Sequence, residues 1–513
     1  MLTQDRMVAV QLALALLGSL LLACTWLLQH RGESLRYRRA RDVALAALGA
    51  LSFASWWNFG YFHFDDYVHL WEHYHYYLGA KYAPELGYTR LYDCTNVADL
   101  ADGLRAKVEA RTIRDLHGSN DLISTAAIVA NPGSCTSHFS PERWAEFRRD
   151  IRFFRANFTG GGWERVQRDH GYNPSPVWAV GGRLLAQMVP IDETRIRWLA
   201  AVDSLLLVAM WGLVWWGFGW RTMCVALLWW GTNFPARFYW NGGALLRFDW
   251  LLTLVAGICL LKRDKPLGAG LALTYSALLR IFPGFVLAAL VLKVLVSAVT
   301  ERRLALSVSQ QRFAAGCLLA LALLLPAGAW ATGSFLPAWI EFAQNSAGRL
   351  ATPAPNSMGL EAIVGWDPSS RKELLHGDDP IDPFKGWVEA RRAVHEQRRP
   401  VYLGLLAAFV LLLAAAVRHE PDWAVACLGC GGIVMAAYLS CYYYGFLLGF
   451  ALLWERRRLP GVLTCALAAV TCALYFVLPE DDEQYAYMSL AAALAVTAVT
   501  AQVAFRPLAE RAH

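Results

Sequence analysis

The chain has 513 residues, of which 56% are hydrophobic and 17% charged, and it contains 22 tryptophans, far above ordinary usage. A soluble protein would have to bury many apolar runs of roughly 15–22 residues, so the composition excludes that class. The formal net charge of +6 does not indicate nucleic-acid binding, because the basic residues cluster in short connectors between apolar runs. The sequence therefore predicts an all-α, polytopic membrane protein.

About thirteen apolar segments are long enough to be considered as transmembrane helices. The first is followed by most of its flanking positive charge, which favours a retained anchor over a signal peptide. The predicted spans are residues 8–29, 43–58, 197–218, 222–236, 244–261, 266–280, 284–299, 313–332, 400–417, 422–441, 443–454, 460–478 and 485–505.

The basic connectors set the predicted orientation. They lie at residues 31–41, 262–265, 301–312 and 456–458 and in the tail from 506. Placing all of them in the cytoplasm satisfies the positive-inside rule, with the N-terminus outside and the C-terminus inside. The predicted parts are an N-terminal anchor with its basic loop (1–42), a transmembrane core (43–332), a second external loop (333–399) and C-terminal helices (400–513).

The first external loop, within the core, covers residues 60–196. Its amphipathic stretches, such as residues 141–158, would lie along the membrane surface. Cys94 and Cys135 are the cysteines of the external loops, and they form either a disulfide or two free thiols. Cys427 and Cys430 form a CxxC pattern in an apolar helix, where small core residues are a better explanation than a zinc or redox site.

Two adjacent carboxylates, Asp65 and Asp66, lie where a predicted span leaves the membrane, among histidines and aromatic residues. Acidic groups at a bilayer edge lose hydration and are seldom placed there without a role. A helix that begins near Asp65 would place Asp66, His69 and His73 on one face, as in a general base for an alcohol. The alternative is a hydrated interfacial helix that only anchors the chain.

The same stretch contains His69, Glu72 and His73 in the HxxEH pattern of inverted zinc proteases. In those enzymes two helical histidines bind Zn²⁺ and the glutamate activates water. A third ligand would be needed, and the candidates are the unremarkable Glu142, Glu146 and Glu164. Zinc hydrolysis is therefore a secondary hypothesis.

Four charged residues lie inside or at the outer ends of predicted spans: Asp203, Arg247, Asp249 and Arg280. An arginine in hydrocarbon costs about 2.5–3.5 kcal/mol even on the lenient insertion scale. Arg247 and Arg280 would hold a lipid-linked phosphate, because guanidinium matches phosphate geometry. The alternative is structural ion pairing of Arg247 with Asp249 or Asp203, and both can hold together.

The second external loop contains Trp339, Asn345 and the stretch 354–360, which includes Asn356. Small polar groups between prolines would close over a bound headgroup as a lid, or they form an ordinary connection. Tyr443, in the run 442–444, would line the same cavity or anchor at the interface.

Four short motifs occur in a fixed order: Asp66 followed by residues 87–92, then Tyr-Asn-Pro-Ser-Pro at 172–176, Leu-Leu-Arg-Ile-Phe-Pro at 278–283 and Pro-Asn-Ser at 355–357. This order resembles that of the C-type (GT-C) integral-membrane glycosyltransferases. It is most similar to the branch related to polyprenyl-phosphate-mannose-dependent mannosyltransferases. The resemblance spans roughly residues 43–360, and its strength lies in the ordered set of motifs.

The resemblance implies that Asp66 is the general base and that Asp65 tunes it or helps to bind a divalent ion. Arg280, which stands where the family has Lys, would hold the donor phosphate with Arg247. Tyr172 begins a stretch that resembles the family's Tyr-x-Pro-Pro motif, here one residue longer, and would bind substrate. The extra first span, the doubled Asp and the long first loop leave the sugar and the acceptor open.

The predicted function is transfer of a mannose-like sugar from a polyprenyl-phosphate donor, with inversion, at the external face of a bacterial inner membrane. The acceptor would be a lipid, a glycan or a protein, and the other expected partners are membrane lipids. No cofactor is firmly implied beyond the possible divalent cation. A transporter or flippase of a lipid-linked or anionic solute is the main alternative, and a non-catalytic scaffold is a third.

Overall fold

The computed structural model describes residues 3–33, 35–63, 66–188, 190–303, 305–350, 352–377 and 382–505. The chain is 76% helical with almost no sheet, which agrees with the predicted all-α class.

The described residues form 25 α-helices, named here in chain order. They are α1 (Gln4–His30), α2 (Arg38–Trp56), α3 (Leu70–Lys81), α4 (Ala83–Leu86), α5 (Leu91–Ala101), α6 (Arg105–Glu109), α7 (Ala126–Ala130), α8 (Gly133–Thr136), α9 (Pro141–Asn157), α10 (Gly162–Val166), α11 (Pro176–Met188), α12 (Glu193–Phe218), α13 (Trp220–Thr232), α14 (Phe238–Asn241), α15 (Asp249–Lys262), α16 (Pro266–Leu279), α17 (Gly284–Glu301), α18 (Val308–Thr332), α19 (Leu336–Leu350), α20 (Leu360–Val364), α21 (Lys385–Val417), α22 (Asp422–Ala436), α23 (Leu448–Leu452), α24 (Arg458–Val477) and α25 (Asp481–Phe505).

Short 3₁₀ helices and two small antiparallel ladders complete the described secondary structure. The 3₁₀ segments are Asn58–Gly60, Phe234–Ala236, Pro368–Ser370, Cys441–Leu447 and Leu453–Glu455. Strand β1 (Thr112–Arg114) pairs with β2 (Leu122–Ser124), and β3 (Ser357–Met358) pairs with β4 (Leu439–Ser440).

Seven helices in the described part of the chain are long and apolar enough to cross a membrane, which is typical of an integral membrane protein. They are α1, α12, α17, α18, α21, α24 and α25. The predicted total of about thirteen spans is not confirmed by this finding.

The difference arises mainly where predicted spans are short or broken. Residues 222–236 and 244–261 form α13 and α15, of 13 and 14 residues. Such helices are about 20 Å long, against roughly 30 Å of hydrocarbon. Residues 443–454, predicted as one helix, consist of two 3₁₀ segments around the five-residue α23.

The helix ends beside several predicted cytoplasmic connectors meet at one end of the molecule. Ion pairs join residues from elements that are far apart in sequence, as expected if successive helices run in opposite directions and their basic connectors share one side. These pairs are Arg221–Asp42 at 2.7 Å, Lys262–Glu455 at 3.9 Å and Lys293–Asp422 at 2.6 Å.

The region between α2 and α11 packs around α3, and its buried residues belong to the same hydrophobic core as those of the long apolar helices. Helix α9 buries Phe147 and Phe154 against tyrosines of this region, including Tyr82, whose ring lies 5.0 Å from that of Phe147. The buried Lys81 and Asp150 form an ion pair of 2.6 Å between α3 and α9. The apolar face of residues 141–158 thus packs inward, which does not favour the predicted position along the membrane surface.

A disulfide between Cys94 and Cys135 ties α5 to α8, which resolves the alternative left open by the sequence. The segment between the two cysteines contains the β1–β2 ladder, in which Ile113 lies opposite Ile123. Cys427 and Cys430 are buried free cysteines in α22, in agreement with their interpretation as core residues.

Candidate functional site

A cavity of about 580 Å³ lies at the ends of α16, α19 and α22, opposite the end that carries the predicted cytoplasmic connectors. One wall is apolar, and the remainder carries arginine, tyrosine, serine, asparagine and glutamate side chains. The lining residues are Asn173, Leu279, Arg280, Ile281, Phe282, Phe285, Phe342, Ser346, Arg349, Ser357, Glu361, Ala436, Ala437, Tyr438, Leu439, Ser440, Tyr442 and Tyr443.

Arg280 is the buried cation of this cavity. It follows the last residue of α16 and is 7% exposed. Its Nε and Nη2 atoms are buried without a hydrogen-bond partner. The guanidinium carbon lies 5.8 Å from the ring of Tyr76 and 5.9 Å from that of Tyr443. Buried arginine nitrogens without acceptors are costly, so the arrangement is suited to an anionic ligand.

Arg247 lies beside this group but is occupied by the protein itself. Its Nε is 3.1 Å from Glu72 Oε2, its Nη1 donates to the hydroxyl of Tyr76, and its Nη2 donates to Asn241 Oδ1 at 3.4 Å. The ring of Tyr442 lies 5.3 Å from the guanidinium carbon. Arg247 thus links α3 to the cavity wall.

The predicted ion pairing of Arg247 with Asp203 or Asp249 is wrong in detail. Asp203 accepts hydrogen bonds from the backbone N–H of Arg247 at 2.9 and 3.0 Å and from that of Phe248 at 3.3 Å. Asp249 accepts from the backbone N–H of Trp250 at 2.7 Å. Both carboxylates therefore fix the backbone around Arg247, whose side chain pairs with Glu72 instead.

Asp66 lies on a loop before α3, with 53% of its side chain exposed. One carboxylate oxygen accepts from the backbone N–H of Tyr67 at 2.6 Å, and it is 3.7 Å from Arg197 Nη2. Asp66 does not line the cavity that holds Arg280. Asp65, the other predicted acid, lies outside the described residues.

The predicted helix from Asp65 begins later, at Leu70, so Asp66 does not share a helical face with His69 and His73. The backbone before α3 is held by another segment instead. The N–H of His69 donates to Gly243 O at 2.9 Å. Gly243 has a φ of +68°, and a Cβ at this position would lie 1.8 Å from Tyr67 O, so only glycine fits there.

His69 and His73 have structural partners. His69 caps α3, because its Nδ1 accepts from the N–H of Glu72 at 3.3 Å. Nε2 of the fully buried His73 lies 3.2 Å from Gly243 O. Among the described residues, no three His, Cys, Asp or Glu side chains are placed to hold a metal ion. His69 Nδ1 and His73 Nε2 are thus engaged by backbone groups, and the zinc hypothesis stays a prediction.

Burial sets the protonation of this cluster. It lowers the pKa of His73 to about 4, and the pKa of His69 also lies well below its ordinary value, so both are neutral at pH 7. Burial raises the pKa of Glu72, while the positive charge of Arg247 opposes that rise. Glu72 is thus a carboxylate of raised basicity next to two arginines.

Tyr172 and the motif that follows it join α3 to the cavity. The Tyr172 hydroxyl is buried without a hydrogen-bond partner, and its ring lies 5.4 Å from that of Tyr88. The ring of Tyr172 also packs directly on Gly79 of α3, where a Cβ would lie only 2.2 Å from Tyr172 Cδ2. Asn173 lines the cavity and accepts from the Tyr76 hydroxyl at 3.2 Å.

Asn356 fastens the second external loop beside the cavity. Its carbonyl accepts from the N–H of Cys441 at 2.9 Å, and its side-chain amide contacts Cys441 Sγ at 3.7 Å. The β3–β4 ladder places Ser357 opposite Ser440, and both serines line the cavity. The loop thus contributes part of the cavity wall, although Asn356 itself does not line it, and closure of this loop over a headgroup stays a prediction.

Tyr443 and Arg349 complete the polar wall. Tyr443 packs 5.0 Å from Phe282, ring to ring, and it contacts both buried arginines. Arg349, on α19, donates from Nη2 to Ser440 Oγ at 3.2 Å.

The structure therefore places Arg280 and Tyr443 in the cavity lining, with Arg247, Tyr172 and Asn356 next to lining residues. Sequence reasoning missed Glu72 as the partner of Arg247, and it missed Arg349. A signal for Glu72 was its position as the only acid in the aromatic run 67–82. Arg349 carried no local signal, because its role depends on the fold of α19.

The comparisons with known proteins add no relative: no protein-family model, no curated protein and no solved structure matches the chain.

Proposed function

We propose that this protein is a membrane glycosyltransferase that moves a mannose-like sugar from a polyprenyl-phosphate donor to an acceptor outside the cytoplasm. The observation that carries the proposal is the buried guanidinium of Arg280, which has two nitrogen atoms without hydrogen-bond partners at a cavity of about 580 Å³. The resemblance to GT-C enzymes in the order of motifs supports the same function.

The cavity lining suits such a donor. Ile281 and Phe285 belong to its apolar wall, and Ile281 is 63% exposed at the outer surface of the helices. A polyprenyl chain would leave along this wall into the bilayer while its phosphate contacts Arg280 and Arg349. A soluble sugar nucleotide would make no use of an apolar exit.

In the proposed reaction an acceptor hydroxyl attacks the anomeric carbon of the donor sugar. The new C–O bond forms as the bond from that carbon to the phosphate oxygen breaks, and the configuration inverts. The hydroxyl proton passes to a carboxylate base, and the electron pair departs on polyprenyl phosphate. Fixed cations stabilise the charge that develops on this leaving group.

Two carboxylates compete for the role of base. The family resemblance assigns it to Asp66, which is exposed and therefore open to an acceptor from outside. Glu72 is the second candidate, because it lies 3.1 Å from Arg247 beside the cavity and only 15% of its side chain is exposed. Asp65 would tune Asp66 in the first case.

The test is transfer of radiolabel from polyprenyl-phosphate-mannose to a membrane lipid extract by the purified protein in vesicles. We expect transfer by the native protein and a loss of about 10²-fold in Arg280→Gln, because a cation at the leaving phosphate is removed. Arg303→Gln is the matched control, since Arg303 is exposed and contacts only Glu301, at 3.9 Å, among the described ion pairs.

Transport of a lipid-linked or anionic solute is the competing function. If the native protein transfers no label but exchanges the donor across vesicle membranes in a counterflow assay, the same cavity serves transport. Label transfer at native rate in Arg280→Gln would contradict the assigned role of Arg280.

A further inference from the structure

A second cavity, of about 510 Å³, adjoins the first and has no role in the proposed sugar transfer. The two cavities share the lining residues Glu361 and Tyr438. The second one is lined along α21 by Arg391, Arg392, Arg399, Tyr402 and Leu403, among other residues.

The composition of α21 places this cavity at the depth of lipid headgroups. Before Pro400 the helix carries arginines at 391, 392, 398 and 399, and after it residues 401–417 contain no charge. Val401 and Leu411 are 57% and 73% exposed on the apolar part, as expected for contact with lipid chains. The arginines therefore stand at one edge of the hydrocarbon, where phosphate groups are found.

Arg391 is the buried cation of the second cavity, with 6% of its surface exposed. Its Nη2 donates to Ala362 O at 3.3 Å, while its Nη1 is buried without a well-aligned hydrogen-bond partner. The hydroxyl of Tyr438 and the carboxylate of Asp482 also interact with the Arg391 guanidinium.

The two carboxylates that line this cavity each lie beside a basic side chain. Glu361 lies 3.7 Å from His395 Nε2, and Glu396 lies 3.6 Å from Arg399 Nη1. The lining thus carries three arginines against two acids, so its charge is suited to an anion.

We propose that this cavity binds the phosphate of an anionic phospholipid from the adjacent leaflet. The buried guanidinium of Arg391 would bind the phosphate from inside the cavity, and the exposed Arg392 and Arg399 would bind it from the protein surface. The acyl chains would pass Tyr402 and Leu403 into the bilayer. This site does not depend on sugar transfer and would exist in a transporter as well.

The test is native mass spectrometry of the purified full-length protein after addition of phosphatidylglycerol or phosphatidylcholine. We expect the native protein to retain phosphatidylglycerol in preference to phosphatidylcholine. Arg391→Gln should reduce that retention roughly tenfold, because a buried charge-assisted hydrogen bond is lost. Arg303→Gln removes one exposed arginine at the opposite end and should retain the lipid as the native protein does.

Arg392→Gln keeps the proposal testable if Arg391→Gln fails to fold, because Arg392 is exposed; we expect it to weaken retention as well. Equal retention of the two lipids by the native protein, or undiminished retention in both variants, would overturn the proposal. Displacement of phosphatidylglycerol by millimolar inorganic phosphate would also overturn it, since the site would then recognise free phosphate.

Discussion

At the scale of single residues, Arg280 in the cavity lining and Arg247 beside it differ in the hydrogen-bond partners that the protein gives them. Arg247 forms an ion pair with Glu72 and hydrogen bonds to Tyr76 and Asn241 that hold α3 in place, and only its Nε lacks a hydrogen-bond partner. Arg280 has aromatic rings around it but two nitrogens without acceptors. We therefore assign ligand binding to Arg280 and positioning to Arg247.

The base can be identified by comparing Asp66→Asn with Glu72→Gln in the transfer assay. Removal of a general base lowers the rate about 10²–10⁴-fold, so the two variants should differ strongly. We expect the larger loss in Asp66→Asn, because the resemblance and the exposure of Asp66 to an acceptor both favour it. Equal native-like rates in both variants would remove both carboxylates from the role.

The pH dependence of transfer separates the same two candidates. The pKa of Glu72 is raised by burial. If Glu72 is the base, transfer falls as the pH drops through a value above the ordinary carboxylate range, because only the ionised form accepts the proton. A native rate that stays constant down to about pH 5 would contradict Glu72 as the base.

At the scale of elements, α3 positions the residues beside the cavity, and its packing against Tyr172 requires a glycine at position 79. A Cβ at Gly79 would lie 2.2 Å from Tyr172 Cδ2. We expect Gly79→Ala to lower the free energy of unfolding by about 1–3 kcal/mol and to weaken transfer, because Tyr172 and Asn173 must move. Thermal unfolding monitored by fluorescence would measure the first effect.

Gly212→Ala is the matched control for this prediction. Gly212 lies within α12, and a Cβ there would meet no atom within 4 Å. It should be neutral or slightly stabilising, as alanine favours helix. A Gly79→Ala variant as stable as Gly212→Ala would show that Tyr172 repacks without cost.

The start of α3 shows where sequence reasoning stops. The aromatic and histidine pattern predicts a helix in this region, but not its first residue. The chain before Leu70 is held by hydrogen bonds to Gly242 and Gly243, including one of 2.8 Å between His63 Nε2 and Gly242 O. A contact over about 180 residues of sequence leaves no local signal, so the shared face of Asp66 and His69 was mispredicted.

At the scale of the whole molecule, apolar runs and basic connectors predict an all-α membrane protein with considerable success. Seven described helices are suited to span a membrane, and ionic contacts join several of the helix ends predicted to be cytoplasmic. Short buried helices such as α13 and α15 limit this reasoning, because an apolar run looks the same in a protein core as in a bilayer.

The cavity is also a property of the whole molecule, since segments from Asn173 to Tyr443 line it. The motifs at 172–176 and 278–283 contribute to its lining or lie behind it, whereas Asp66 lies on a separate exposed loop. Sequence reasoning thus predicted several binding residues, and the placement of the base relative to the cavity required the fold.

The most direct test is photo-crosslinking of the full-length protein in vesicles with a polyprenyl-phosphate analogue that carries a photoreactive group near the phosphate. If the donor occupies the Arg280 cavity, peptide mapping should find the adduct on lining residues such as Ile281, Phe285 or Phe342, and unlabelled polyprenyl phosphate should suppress it. Adducts confined to other surfaces, or adducts on these residues that are unaffected by competitor, would contradict the account.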